Sequence, residues 1–180
     1  MEIHSETMNR FCNQYKIIKH YIEDLPSQAI HTRFIPDKWS IHETIAYLSR
    51  YQYIFLNRLK AISGEINPFF EIYKPEEDPE YQFTVARSTG ALLHEIYRLR
   101  DDMQAMLNNL SPQECSRIGT HELLGRMNIS QWLEFFLLHE SAQFYKIFKL
   151  SNNFWNIGNV SHGNVISMPL LSKQMDELVG

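Results

Sequence analysis

Four stretches of the chain carry apolar residues at spacings of three and four, and no stretch sustains a spacing of two. A spacing of three and four returns to one face of an α-helix every turn of about 3.6 residues, so each stretch can bury a stripe only as a helix. The first stripe runs Met8, Phe11, Cys12, Tyr15, Ile18, Ile22 and Leu25 and stops at Pro26. The second runs Ile41, Ile45, Leu48, Phe55, Leu59 and Ile62, and Gly64 supplies a stop. The third runs from Val85 through Leu92, Ile96, Leu99, Met103 and Met106 to Leu110. The fourth carries two stripes, Ile129–Leu133–Phe136–Phe144–Ile147 and Trp132–Phe135–His139–Ala142, which marks a central helix or one that also meets a partner chain.

Capping signals sharpen these starts. "SIHE" is a capping box in which Ser40 holds the amide of Glu43 and Glu43 reaches back. "SPQE" is a second box, with Pro112 at the first helical position, and Asn128 with Gln131 supplies a third start. The spacing predicts helices near 6–24, 40–62, 85–110 and 129–150, no strands, and a short helical turn after Ser111. Between the second and third helices, "EINPFFEIYKPEEDPEYQF" contains three prolines, several aromatics and an acidic patch. It reads as a long ordered crossover loop, a kind of segment that often carries function. The expected architecture is an all-α four-helix bundle over residues 1–150, with an irregular Asn- and Gly-rich tail, 151–180, packing across it.

The chain has 180 residues, 44% of them hydrophobic, enough for one domain with a sizeable core. Its net charge is −4 and the 17 Lys and Arg are scattered, so no basic footprint marks a nucleic-acid partner. No apolar run approaches the roughly 18–20 residues that span a bilayer, and the N-terminal stretch lacks the basic and apolar regions of a secretion signal. A cytoplasmic protein with no membrane partner is expected. The two cysteines, Cys12 and Cys115, have no metal or redox spacing and read as packing thiols.

Polar residues inside the greasy stripes are the candidate site. In "WLEFFLLHESAQFYKIF", His139 and Gln143 are four apart and share one helical face. Such a pair can hold a metal, bind a small molecule or satisfy itself. His42, second in its helix, is expected on the surface, and His94 with Glu95 reads as a solvated edge. Arg100, if it points inward, is expected to pair with a carboxylate such as Glu140.

"DKWSIHETIAYLSRYQYIFLNRLKAI", "NPFF", "LLHEIYRLRDDMQAMLNNLSPQE" and "GTHELLGRMNISQWLEFFLLHESAQFYKI" together resemble the DinB superfamily, in its branch of YfiT-like metal-dependent hydrolases and thiol S-transferases. The likeness covers about residues 30–150. It rests on the Trp-Ser opening of the second helix, its late Arg-Leu pair, the arginine of the third helix, a loop H-x-x-x-G and the histidine-centred fourth helix.

The resemblance implies a bundle, often a homodimer, holding Zn or Ni on three histidines. Those three positions fall here on Tyr47, His139 and Gln143, so one imidazole of three is present. His121, at the family's loop histidine, is a reserve ligand that would overhang the pocket mouth. No catalytic residue is assigned and no cofactor is expected. The leading expectation is a small-molecule-binding or catalytically inactive relative with a degenerate metal triad. The alternatives are an active metal-dependent hydrolase or thiol S-transferase with an unusual ligand set, on Zn or Ni, and a structural dimeric interaction protein.

Overall fold

The computed structural model describes residues 3–160, with side chains through Phe154. The chain runs α1 (Ser5–Asn13), a 3₁₀ turn at Gln14–Lys16, α2 (Ile17–Ile22), α3 (Ser27–His31) and α4 (Ile41–Gly64). It continues through β1 (Phe69–Phe70), a 3₁₀ turn at Pro75–Glu77, α5 (Pro79–Val85), α6 (Thr89–Asn108) and α7 (Pro112–Cys115). It ends with β2 (Ile118–His121), β3 (Gly125–Asn128) and α8 (Ile129–Val160). The α1–α2 arm, α4, α6 and α8 form a helical bundle in which α4 packs on both α6 and α8.

All three local start signals act as the sequence predicts. Ser40 Oγ accepts from the Glu43 amide while Glu43 Oε2 accepts from the Ser40 amide, and Ser111 with Glu114 repeats the arrangement. Asn128 and Gln131 exchange amide bonds of 3.0 Å at the start of α8. Ile41, Ile45, Phe55, Leu59 and Ile62 are all sealed from solvent, as the second stripe requires. Cys12 and Cys115 are free thiols. Among the described residues no helix is long and apolar enough to cross a membrane.

Four expectations are corrected. The first helix is broken by a 3₁₀ turn, where Gln14 Nε2 reaches across to the Leu137 carbonyl and Glu140 of α8. The fourth helix continues to Val160, ten residues past its expected end. There Ser151 and Asn152 bond back to the carbonyls of Ile147 and Phe148 within the helix instead of breaking it. Residues 161–180 of the expected tail lie outside the described residues.

The third correction is a small sheet, ordered β1-β2-β3, with β1 parallel and β3 antiparallel to β2. Strands of two to four residues are too short to show a period of two. Trp132 is fully buried beneath them, edge-on to Phe70 at 5.3 Å and 5.6 Å from His121. Trp132, at one end of the second apolar face of α8, is therefore covered by this chain's own sheet, while Phe135, His139 and Ala142 stay half-buried.

The fourth is His42, which is buried, not exposed. Its Nε2 lies 2.8 Å from the Val85 carbonyl and its Nδ1 2.8 Å from Thr89 Oγ, so the ring donates to α5 and accepts from α6. The third helix begins at Thr89 because Val85 already ends α5, and His42 clasps the junction.

Candidate functional site

Tyr47 on α4 and His139 on α8 face each other across the helix pair, with Tyr47 Oη 2.9 Å from His139 Nε2. The direction of that hydrogen bond follows the imidazole tautomer. Gln143 lies one turn further along the same face of α8 and is buried. Two polar atoms here are buried without a partner, His139 Nδ1 and Gln143 Oε1. An unpaired buried polar atom costs about 1–3 kcal/mol, so two on one helix face mark a position not closed by self-satisfaction.

Aromatic rings wall the pair. The Tyr51 ring, one turn after Tyr47, lies 4.2 Å from the His139 ring. Trp39 approaches Tyr47 at 5.1 Å, and Tyr73 of the crossover loop approaches both Tyr47 and Tyr51 at 5.7 and 5.8 Å. Asp78 holds that loop in place. Its carboxylate accepts from Arg50 Nε at 2.6 Å, from the Tyr73 hydroxyl at 3.0 Å and from the Glu80 amide that opens α5. The loop expected to carry function is thus ordered and supplies one wall.

Electrostatics keep both central groups neutral. Burial, with the charges of Lys146 and Arg58, pulls His139 down to about 4, so the ring is an uncharged imidazole at neutral pH. Burial also pushes the Tyr47 phenol well above its ordinary value. On the opposite side of α8, Glu140 bonds Arg100, Gln52 and Gln14 in the bundle core, and Arg100 also donates to the Phe11 carbonyl. Burial pushes the Glu140 carboxyl up, and the guanidinium and the two amides pull it back. The expected Arg100–Glu140 pair is present and holds helices together.

His121 lies on β2, not in a loop, and is buried. Its Nδ1 accepts from the amides of Leu123 and Leu124 at 3.1 and 3.3 Å, and Gly125, its partner across the ladder, has φ +73°. The H-x-x-x-G motif is therefore a turn device in which the imidazole caps the amides and glycine supplies the left-handed residue. With Nδ1 occupied, the neutral ring carries its proton on Nε2 and offers a metal no lone pair. His94 is exposed and Glu95 pairs with Arg98, as a solvated edge should.

A divalent metal does not fit this donor set. Zn and Ni call for lone-pair donors without a proton to lose, and here one imidazole stands with an amide oxygen and a phenol held in its protonated form. Among the described residues no group of three His, Cys, Asp or Glu side chains is placed to hold a metal ion. Tyr51 and Tyr73 escaped the sequence reading, and Arg58 entered it only as half of the late Arg-Leu pair. Tyr51 stands one turn after Tyr47 on the same face, a signal that was present. Tyr73 is brought in by a loop whose course no periodicity encodes. An open groove of about 860 Å³ between the α1–α2 arm and α8, lined by Gln14, Tyr21, Phe144 and Phe148 among others, includes none of the predicted site residues.

The chain is a helical bundle with a small sheet at one side and a polar Tyr47–His139 pair between α4 and α8. Residues 13–142 match the sequence model of the DinB superfamily, and the chain belongs to that family. The fold is similar to YfiT from Bacillus subtilis, described as "a probable metal-dependent hydrolase with an unusual four-helix bundle topology". That likeness has a TM-score of 0.70 at 16% identity and covers 85% of this chain and 90% of the other, so it concerns the fold alone. A comparison with curated proteins finds no match.

Proposed function

We propose that this chain is a DinB-superfamily protein that binds a small molecule between α4 and α8 without a metal, at the positions where its family places a metal triad. The observation that carries the reading is the 2.9 Å Tyr47–His139 hydrogen bond beside the unpartnered Nδ1 of His139 and Oε1 of Gln143. A neutral imidazole bonded to a protonated phenol and flanked by an open amide oxygen suits hydrogen-bond recognition of a polar ligand framed by aromatic walls. YfiT, with its similar fold, is the family's contrasting case, a protein described as a probable metal-dependent hydrolase.

The test is to put imidazoles back. Tyr47→His with Gln143→His supplies three nitrogen donors at the family's spacing. Zinc or nickel affinity, read by calorimetry, should then rise by several orders of magnitude, with each single change giving an intermediate gain. A double variant that binds zinc no better than the unmodified protein would mean that the three positions do not converge, and the reading would fall.

A further inference from the structure

Arg58 is buried to within 7% of full exclusion, yet no carboxylate lies within ion-pairing distance of it among the described residues. The fully buried Arg100 shows the contrast, because Glu140 neutralises it. The Arg58 guanidinium instead donates to the Glu71 carbonyl at 2.7 Å and more weakly to the Tyr51 hydroxyl at 3.3 Å. It lies over three rings, those of Tyr51, Phe70 and Trp132, at 5.6–5.8 Å. A guanidinium has five N–H groups, and a buried charge without a counter-charge is costly, so this one is held ready for an anion.

The ring of Tyr51 links Arg58 to the site, since it contacts both the guanidinium and the His139 imidazole. In a chain of net charge −4, Glu122 acts on His121 and Glu76 on Tyr47, but at His139 itself both acting charges are positive. The charge of Arg58 reaches both His139 and His121, Lys146 adds to it at His139, and Lys38 lies close enough to Lys146 to act on it. A local positive field in an acidic protein selects anions.

We propose that Arg58 is the anion-binding residue of this site and takes the carboxylate of a small organic acid, whose body lies along Tyr51 toward the Tyr47–His139 pair. The proposal rests on the small-molecule reading above and adds the ligand's charge and its anchor. Planar carboxylate and planar guanidinium meet through two parallel hydrogen bonds, which a neutral isostere cannot reproduce.

The experiment titrates the unmodified protein and the Arg58→Met, Arg58→Lys and His139→Ala variants with sodium benzoate and with benzamide, against sodium chloride at matched ionic strength. Binding is read from tryptophan fluorescence, because Trp132 touches Arg58, and from thermal shift. Benzoate should bind at least about tenfold more tightly than benzamide. Arg58→Met should remove that preference and leave benzamide unchanged, and Arg58→Lys should retain part of it. If Arg58→Met fails to fold, the benzoate–benzamide contrast and the lysine variant carry the test. Equal binding of benzoate and benzamide, or full benzoate affinity in Arg58→Met, would overturn the anion site and leave the small-molecule reading standing. No response to benzoate beyond that to chloride would also overturn it, and the zinc test would still decide the small-molecule reading. Benzoate binding lost in Arg58→Met but untouched in His139→Ala would keep the anion site and remove Tyr47–His139 from it.

Discussion

Tyr47 and His139 are 92 positions apart in sequence and meet at 2.9 Å, and the burial that joins them also sets their protonation. His139 is lowered from its ordinary value of 6.5 to about 4, so the folded state favours the neutral ring. The unfolded chain takes up a proton that the folded chain refuses between those two values. The His139 contribution is therefore complete above about pH 6.5 and is lost as pH falls toward 4, up to about 3 kcal/mol in all. His121 is lowered too, by burial and by Arg58, so it adds to the same slope. Denaturant unfolding at pH 7 and pH 5 should show a smaller loss in His139→Gln than in the unmodified protein. An equal loss in both would assign the slope to His121 and other groups. His139 was legible as a lone polar residue in an apolar stripe. Arg58 was legible as half of an Arg-Leu pair but not as a buried cation, because its lack of a carboxylate is a fact about distant segments.

Among the elements, helix starts were the most legible because a capping box is a contract between residues three apart. Ser40–Glu43, Ser111–Glu114 and Asn128–Gln131 all hold. The sheet was not legible, since β1 pairs with a strand about fifty residues away. Gly119 sits at its centre, where an added Cβ would come within 2.7 Å of Ile62 Cγ1 on α4 and 2.9 Å of Phe70. Gly119→Ala should cost about 1–3 kcal/mol by overpacking, measured by urea unfolding. No loss would mean that the sheet moves freely against α4. The Arg100–Glu140 pair joins α6 to α8 in full burial. Glu140→Gln leaves an uncompensated guanidinium and should cost about 3–5 kcal/mol, while Arg100→Met with Glu140→Leu should cost less than that single change. A double variant weaker than Glu140→Gln would show that the pair contributes through its packing rather than its charge balance.

At the scale of the whole molecule, a bundle whose core α4 and α8 share turns two of its helices toward one interior position, where Tyr47 meets His139. In the function proposed above, a phenol and an amide stand where the family resemblance places imidazoles. The fold class was readable because four long stripes leave a chain few alternatives. The composition of the site's walls was not, since Trp39 and Tyr73 arrive from segments without a period. The central claim, a family member that works without a metal, is tested most directly by elemental analysis of the protein purified without chelator. The account predicts well under one zinc or nickel per chain, unchanged after incubation with excess metal and desalting. About one transition metal per chain would contradict it and assign the site to an unusual ligand set.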